Sequence, residues 1–335
     1  MPHSVPNPTT GESALNDNNA STRQPQGTQR PVLNAAGEMP IPVFYSPAMV
    51  AEIGSFSPSA GKPALVVASW QFLGLPLQFH APQPLRAEQI GIAHDPDFVA
   101  DVLGCRRTNG FGDKSPAVAA ALPWTNGAML SAAREALRNG LGAIAPCSGF
   151  HHAGYDHAGG YCTFNGLMVT AAALLAEGRA SKVGILDCDE HWGNGTHDII
   201  ERLQLNEEVV HYSPCFEFGR PLKAEAFLAR IPKLLDRFAD CDLVLYQAGA
   251  DPHIDDPLGG WLTTDQLYRR DRAVFDGLRR LGIPVAWNLA GGYQRDAAGS
   301  IRPGLDIHDN TMVAFVEACD HASIPVGEAL RKEAA

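Results

Sequence analysis

Two adjacent histidines and a short acidic run are the parts of this sequence best suited to chemistry. His151 and His152 are neighbours, and an Asp-x-Asp-x-His run places Asp187, Asp189 and His191 at alternate positions. Neighbouring imidazoles suit proton transfer near neutral pH. Two carboxylates on one face repel each other unless a cation or hydrogen-bond donors lie between them. The combination predicts a metal-activated water with acid–base groups beside it.

One further carboxylate would complete a metal site with three protein ligands. A later apolar run is followed by Asp251, and then by Asp255 and Asp256. Two carboxylates and one imidazole leave coordination positions open for water and substrate, which is typical of catalytic rather than structural zinc. Strand-end aspartates also cap helices, which explains any one of these residues but not the whole set.

A third polar cluster offers an oxyanion donor. Gly291 and Gly292 permit a tight turn, and the hydroxyl of Tyr293 could donate to a developing oxyanion. An ordinary glycine turn with a packing aromatic residue has the same sequence. Similarly, the histidine pair alone is compatible with two hydrogen-bonded core histidines.

All three clusters follow predicted strands of a single α/β domain. Short apolar runs predict strands and alternate with helical stretches; the strands are 141–146, 182–188, 243–248 and 283–289, and the helices are 127–139, 164–177 and 264–281. Near-continuous apolar strands separated by helices predict a mostly parallel sheet with helices on both faces. Ligands bind beyond the carboxyl ends of such strands, which is where these clusters fall.

Composition restricts the class of protein. The net charge of −11 argues against nucleic acid or an anionic membrane as the main partner. Seven cysteines without a Cys-x-x-Cys pair indicate reduced thiols. Since no stretch resembles a signal peptide or a membrane span, a cytoplasmic protein is predicted. Residues 1–38 are polar and rich in Pro and Gly, which predicts a disordered or partner-clasping arm before a catalytic domain over 39–335.

Five ordered motifs resemble the histone deacetylase family of the arginase/deacetylase superfamily. They are GFHH (149–152), GGYC (159–162), LDCDEHWGNG (186–195), GADPHIDDP (249–257) and GGY (291–293). The phenylalanine before the histidine pair and the segment SAGK (59–62) are most similar to the class IV branch. The resemblance implies an arginase/deacetylase-like fold and zinc-dependent removal of acetyl or longer acyl groups from lysine side chains.

The resemblance also implies which residues bind metal and transfer protons. One zinc ion would be bound by Asp189, His191 and Asp256, with a potassium ion near Asp187. His152 would be the general base and the acid for the leaving amine. His151, oriented by Asp187, would be its electrostatic partner. Asn194 would orient His152, and Tyr293 would share the substrate carbonyl with zinc. Asn194 stands where many relatives have Asp, and an amide stabilises an imidazolium less than a carboxylate does.

Four further positions are implied to bind substrate. The backbone carbonyl of Gly160 would accept the substrate amide N–H, and Tyr161 would be one wall of an acyl-lysine channel. Phe216 is the candidate for the second wall, with Phe218 as the alternative, and Asp113 is the candidate rim residue. The implied substrate is an acyl-lysine peptide or protein.

Other functions stay open at this point. An acetylpolyamine deacetylase would apply the same chemistry to a small acylated amine, although no obvious gatekeeping Glu occurs over 258–264. A binuclear manganese ureohydrolase would need bridging carboxylates, for which Asp251 and Asp255 are the only spare candidates. A non-catalytic deacetylase-like binding protein would not need the complete set of site residues. A homo-oligomer is compatible with the sequence.

Overall fold

One seven-stranded sheet organises residues 40–320, and every pair of neighbouring strands in it is parallel. The computed structural model describes residues 40–320. The predicted arm, residues 1–38, lies outside the described residues, as does 321–335 of the predicted catalytic domain. Both domain boundaries therefore stay predictions, whereas the predicted α/β class with a parallel sheet is confirmed.

The strand order is β2-β1-β3-β7-β6-β4-β5. The strands are β1 (Ile41–Phe44), β2 (Leu77–His80), β3 (Gly142–Ser148), β4 (Val183–Asp187), β5 (Val209–Tyr212), β6 (Leu243–Gly249) and β7 (Val285–Ala290). The helices are α1 (Lys62–Phe72), α2 (Ala87–Ile90), α3 (Pro96–Leu103), α4 (Pro116–Asn139), α5 (Gly166–Ala176), α6 (Asn194–Leu203), α7 (Cys215–Phe218), α8 (Ala224–Leu234), α9 (Thr264–Arg280) and α10 (Arg302–Asp320).

Helices cover both faces of the sheet. Every residue of β4, β6 and β7 is buried, as expected for parallel strands that are packed on two sides. Side chains alternate between the faces. Val244 and Tyr246 of β6 belong to one core with α1, α8, α9 and α10, whereas Leu243 and Leu245 belong to a second core with α3, α4, α5 and α6.

The predicted elements all form, but one helix is longer than predicted. Helix α4 begins at Pro116, where Ser115 Oγ accepts a hydrogen bond from the Val118 N–H, rather than near residue 127. Pro123 lies inside this helix. Because proline usually breaks a helix, the sequence did not predict the half of α4 that precedes and surrounds it. None of the helices within residues 40–320 is both long enough and apolar enough to cross a membrane.

Candidate active site

The carboxyl ends of four adjacent strands bring the predicted clusters together. β3, β7, β6 and β4 are neighbours in the sheet, and they end at or just before residues 149–152, 291–293, 251–256 and 187–191 respectively. Because parallel strands end at one edge of the sheet, four loops that are distant in sequence share one site.

His151 is held by a buried carboxylate. Its Nδ1 lies 2.8 Å from Asp187 Oδ2, and its Nε2 lies 3.5 Å from Asp189 Oδ1. Burial alone would lower the pKa of His151, but the charges of Asp187 and Asp189 outweigh it and raise the pKa to about 9. Burial likewise opposes ionisation of Asp187, but His151 and His211 hold the pKa of this carboxyl below its usual range. The two form an ion pair at neutral pH.

His152 has a neutral partner and the opposite pKa shift. Its Nδ1 lies 2.5 Å from Asn194 Oδ1, and Asn194 is the first residue of α6. The rings of the two histidines are 4.0 Å apart. Burial, followed by the charge on His151, lowers the pKa of His152 below its ordinary value. His152 is therefore unprotonated at neutral pH and can accept a proton.

Asp189, His191 and Asp251 form a group that could hold a metal ion, since one ligand atom from each lies within 4.8 Å of the others. His191 Nδ1 lies 3.1 Å from Asp189 Oδ1 and 3.3 Å from Asp251 Oδ2. Burial and the charge of Asp189 raise the pKa of Asp251 to about 8, so this carboxyl ionises with difficulty without a nearby cation. The hydrogen bonds to Asp189 and Asp251 raise the pKa of His191 to about 11. Two buried carboxylates around one imidazole fit a divalent cation.

The structure does not place Asp256 in this group. Both oxygens of Asp256 accept backbone hydrogen bonds, Oδ2 from Tyr293 N at 2.8 Å and Oδ1 from Leu258 N at 3.0 Å. Asp256 nonetheless lies close enough to Asp189 for the two charges to interact. Burial raises the pKa of Asp256, and the charge of Asp189 adds to this rise. Asp256 as a metal ligand stays a prediction, and Asp251 is a second candidate for the same role. The potassium site near Asp187 also stays a prediction.

The two glycines before Tyr293 are required by close packing. Gly291 has a φ of +48°, and a Cβ at this position would lie 2.0 Å from Asp251 Cγ. The carbonyl of Gly291 accepts a hydrogen bond from the buried Lys62 ammonium. Burial lowers the pKa of Lys62 to about 8, although Asp251 and Asp256 oppose the shift. The turn therefore lies between a carboxylate and an ammonium.

Tyr293 is buried at the end of this turn, in contact with other aromatic rings. Burial, and then the charge of Asp251, raise the pKa of its hydroxyl, which stays protonated at neutral pH. Its ring is 5.9 Å from that of Tyr161 and stacks at 6.0 Å on that of Phe56. A protonated hydroxyl near the metal-binding group is able to donate a hydrogen bond to a substrate oxygen.

Backbone strain is concentrated beside the histidine pair. Phe150 has a φ of 90° and Tyr161 a φ of 62°, values that non-glycine residues seldom adopt. Gly160, with a φ of +54°, packs so closely that a Cβ would lie 2.3 Å from His152 Cδ2. Such conformations occur mainly at functional sites, where the surrounding structure enforces them.

The predicted substrate residues lie in two groups. Tyr161 N donates to Gly110 O, so the Tyr161 turn packs on the loop that carries Asp113. Asp113 is exposed, and its Oδ1 accepts hydrogen bonds from Asn109 and Ser115. Their substrate roles stay predictions.

Phe216 and Phe218 differ in their surroundings. The Phe216 ring is 77% exposed. It lies 5.5 Å from the ring of Trp192, the residue that follows His191. Phe218 is buried and packs on Phe227. Phe216 thus remains the candidate for the second channel wall, a role that stays a prediction.

Sequence reasoning gave no role to Lys62 or Phe56. Lys62 ends the SAGK segment, which was notable only as part of the resemblance, and nothing in the sequence distinguished Phe56. Both approach the site from the region of α1, far from the other site residues in sequence.

Comparison with known proteins identifies the family. The model of the histone deacetylase domain matches residues 63–222 and 217–303, most of the chain. An uncharacterised protein of Picosynechococcus sp. is 28% identical over 66% of this chain and 80% of its own length. Acetylpolyamine amidohydrolase 2 of Pseudomonas aeruginosa is 30% identical over 44% of this chain, and the match spans half the length of that relative.

A solved structure agrees with the fold. The crystal structure of the HDA15 HD domain matches with a TM-score of 0.65 at 20% identity, over 84% of this chain and 90% of that one. At this identity the likeness supports the fold alone, while the domain match supports the relationship. This chain belongs to the histone deacetylase domain family.

Proposed function

We propose that this protein is a zinc-dependent hydrolase that removes acetyl or longer acyl groups from amines, above all from lysine side chains. The observation that carries the proposal is a pair of histidines beside the Asp189–His191–Asp251 group, one 2.8 Å from the Asp187 carboxylate and the other 2.5 Å from the Asn194 amide oxygen. One imidazole is charged and fixed, and the other is neutral and able to accept a proton. In hydrolysis by an activated water, a base of this kind accepts the proton, and a nearby positive charge stabilises the negative charge that develops.

Zinc is the metal that the donor set suits best. Two carboxylates and one imidazole, with further positions open, are typical ligands of catalytic zinc. Asp189 and His191 would bind it, with Asp251 or Asp256 as the third ligand. When bound, zinc polarises the substrate carbonyl and lowers the pKa of a bound water towards about 7.

The protein side chains would then transfer the protons. His152 takes a proton from the attacking water and returns it to the departing amine, while Asn194 keeps the imidazole oriented through Nδ1. His151, charged and paired with Asp187, stabilises negative charge nearby. The hydroxyl of Tyr293 donates to the oxygen that becomes negative.

A substrate panel with and without a chelator tests the proposal. Acetyl-lysine peptides, longer acyl-lysine peptides and acetylpolyamines are incubated with the purified protein, and released amine is measured. We expect amine release from at least one acyl-lysine peptide, loss of release with chelator, and recovery with added zinc. If no substrate is cleaved although zinc is bound, the chain is a non-catalytic binding protein. Full activity in the absence of any metal would also contradict the proposal.

A second candidate is the deacetylation of acetylpolyamines. Acetylpolyamine amidohydrolase 2 is one of the similar proteins, and a net charge of −11 favours cationic substrates. A higher kcat/KM for acetylpolyamine than for every acyl-lysine compound would favour this function. A cytoplasmic location and a homo-oligomeric state stay predictions.

A further inference from the structure

An open cleft lies directly beside Tyr293. It has a volume of about 610 Å³ and is lined by Phe56, Asp255, Pro257, Tyr293, Gln294, Arg295 and Pro303. Phe56, Pro257 and Pro303 make part of its wall apolar. Tyr293 therefore borders both the cleft and the candidate catalytic residues, and the cleft has room for the part of a substrate that extends away from the reacting amide.

The cleft carries one positive and one negative side chain. The guanidinium of Arg295 is held by backbone carbonyls, with Nη1 2.9 Å from Gly299 O and Nη2 3.5 Å from Phe56 O. Within residues 40–320 it has no carboxylate partner. Asp255 is also exposed, and its closest ion-pair partner is His253 Nδ1 at 4.0 Å. Both charges are therefore available to a ligand.

This charge pattern discriminates between classes of acylated amine. A polyamine carries only positive charge, so Asp255 would attract it while Arg295 would repel it. A lysine within a peptide has neither a free α-ammonium nor a free α-carboxylate. A free diamino acid that is acylated on its side-chain nitrogen has one group of each sign, and both lie on the side away from the acyl group.

We propose that this cleft binds the zwitterionic end of a small N-acylated diamino carboxylic acid, such as free Nε-acyl-lysine. Asp255 faces the α-ammonium and Arg295 faces the α-carboxylate. The proposal rests on the deacylase function proposed above and specifies its substrate class. The chemistry is unchanged: water adds to the acyl carbon, the C–N bond breaks, and the amine leaves with a proton.

Four forms of Nε-acetyl-lysine provide the test. They are the free amino acid, the form with its α-amine capped as a carbamate, the form with its carboxyl group capped as an amide, and the form with both caps. For the wild type we expect the free form to be the best substrate, with kcat/KM about fivefold lower for each cap, as for an exposed ion pair. The preference should weaken with added salt.

Two variants should each remove one half of this preference. Arg295→Gln should abolish the preference for a free over an amidated carboxyl group and keep the preference for a free α-amine. Asp255→Asn should do the reverse. Equal preference ratios in wild type and variants would overturn the proposal, as would a peptide-embedded acetyl-lysine that is a better substrate than the free amino acid.

Matched variants at the amino ends of the strands, opposite the site, control for the change in net charge. Arg280, at the end of α9, and Asp236, before β6, are exposed and precede strands rather than follow them. Arg280→Gln and Asp236→Asn make the same charge changes and should leave both preference ratios as in the wild type. Ratios that change in these variants would assign the effect to overall charge and overturn the role of the cleft.

Binding measurements separate this inference from the proposed activity. Calorimetry with the Tyr293→Phe variant compares the affinities of the free and doubly capped forms of Nε-acetyl-lysine without turnover. We expect the free form to bind at least about tenfold more tightly. If the wild type cleaves none of the compounds but this binding preference holds, the proposed hydrolase function is wrong and the cleft assignment stands. If all forms are cleaved and bound alike, the cleft assignment is wrong and the hydrolase stands.

Discussion

Two buried polar clusters meet at the end of β4, and their charges are balanced in different ways. The acidic cluster contains Asp187, Asp189, Asp251 and Asp256 together with His151, His191 and Lys62. The arginine cluster contains Arg270, Asp271, Tyr246 and Thr311. Arg270 Nη1 donates to the carbonyl of Cys188 at 3.2 Å, so the two clusters meet at the peptide between Asp187 and Asp189.

The carboxylate of the arginine cluster is paired without a ligand. Arg270 Nε donates to Asp271 Oδ1 at 2.8 Å, Thr311 Oγ1 donates to Asp271 Oδ2 at 2.6 Å, and the Tyr246 hydroxyl also donates to Asp271. One carboxylate thus has one cation and two hydroxyl donors, which offsets the cost of burying the charges.

The acidic cluster has more carboxylates than neighbouring cations. Its four carboxyl groups face three cationic side chains, those of Lys62, His151 and His191. The pKa of Asp251 is raised to about 8 by burial and by Asp189. The difference teaches that burial alone does not identify a functional site. The useful sign is a buried cluster whose charges are balanced only when a further cation is added.

The largest expected effect follows from removing a carboxylate of the acidic cluster. Asp189→Asn should abolish activity. It should also weaken metal binding by more than roughly 10–100-fold, which is the cost of losing a residue that only orients a metal ligand. In chelator the same variant should unfold at a lower temperature than the wild type, because the carboxylate that pairs with His151 and His191 is gone. Metal analysis and thermal unfolding measure both effects. An Asp189→Asn variant that keeps its metal and its activity would refute the metal site. The metal contents of Asp251→Asn and Asp256→Asn would show which of these two residues is the third ligand.

Breaking the arginine cluster should affect stability most. Arg270→Met leaves Asp271 buried without its cation and should lower the free energy of unfolding by about 3–5 kcal/mol. Urea denaturation measures the change. The double variant Arg270→Met/Asp271→Asn should recover part of the loss, because no unpaired charge remains. A loss below about 1 kcal/mol in the single variant would mean that the pair is not held in isolation from water.

The two buried tyrosines provide the next contrast. Tyr293→Phe should reduce kcat by about 10²–10³-fold, as for other oxyanion donors, while metal content and stability stay unchanged. Tyr246→Phe should do the opposite, because its hydroxyl donates to Asp271: the rate stays, and stability falls by about 1–3 kcal/mol. Wild-type turnover in Tyr293→Phe would exclude Tyr293 from the reaction.

The smallest expected effect concerns pH. The pKa of His152 lies below 6.5, first because of burial and then because of the charge on His151. His152 is thus in its base form at pH 7, and kcat/KM should fall only as the pH drops below about 6.5. Asn194→Asp places a carboxylate against Nδ1 and raises this pKa, so the acid limb should move to higher pH. An acid limb that does not move between wild type and Asn194→Asp would show that His152 is not the titrating base.

The sequence allowed the sheet and the location of the site to be predicted because buried parallel strands are near-continuous apolar runs. β4, β6 and β7 have this form, and each is followed by chemically distinctive residues. β1, β2 and β5 were not predicted. Each has only four residues, and β2 and β5 lie at the two edges of the sheet, where burial is partial and the apolar pattern is weak.

The contacts within the site could be predicted only in part. The third carboxylate stayed open because Asp251 and Asp256 belong to one loop, and only its folded path decides which of them faces His191. Lys62 could not be predicted from local pattern, since its partner Gly291 is 229 residues away. Such a contact depends on the packing of α1 against the finished sheet.

The position of β7 has a consequence for synthesis of the protein. β7 is the last strand within residues 40–320, yet it lies between β3 and β6 in the middle of the sheet. Until it inserts, the loop that carries the histidine pair and the loop that carries Asp251 are separated by an unfilled gap. A ribosome-bound chain that ends before Val285 therefore has the histidine pair and the acidic loops but lacks the strand that lies between them.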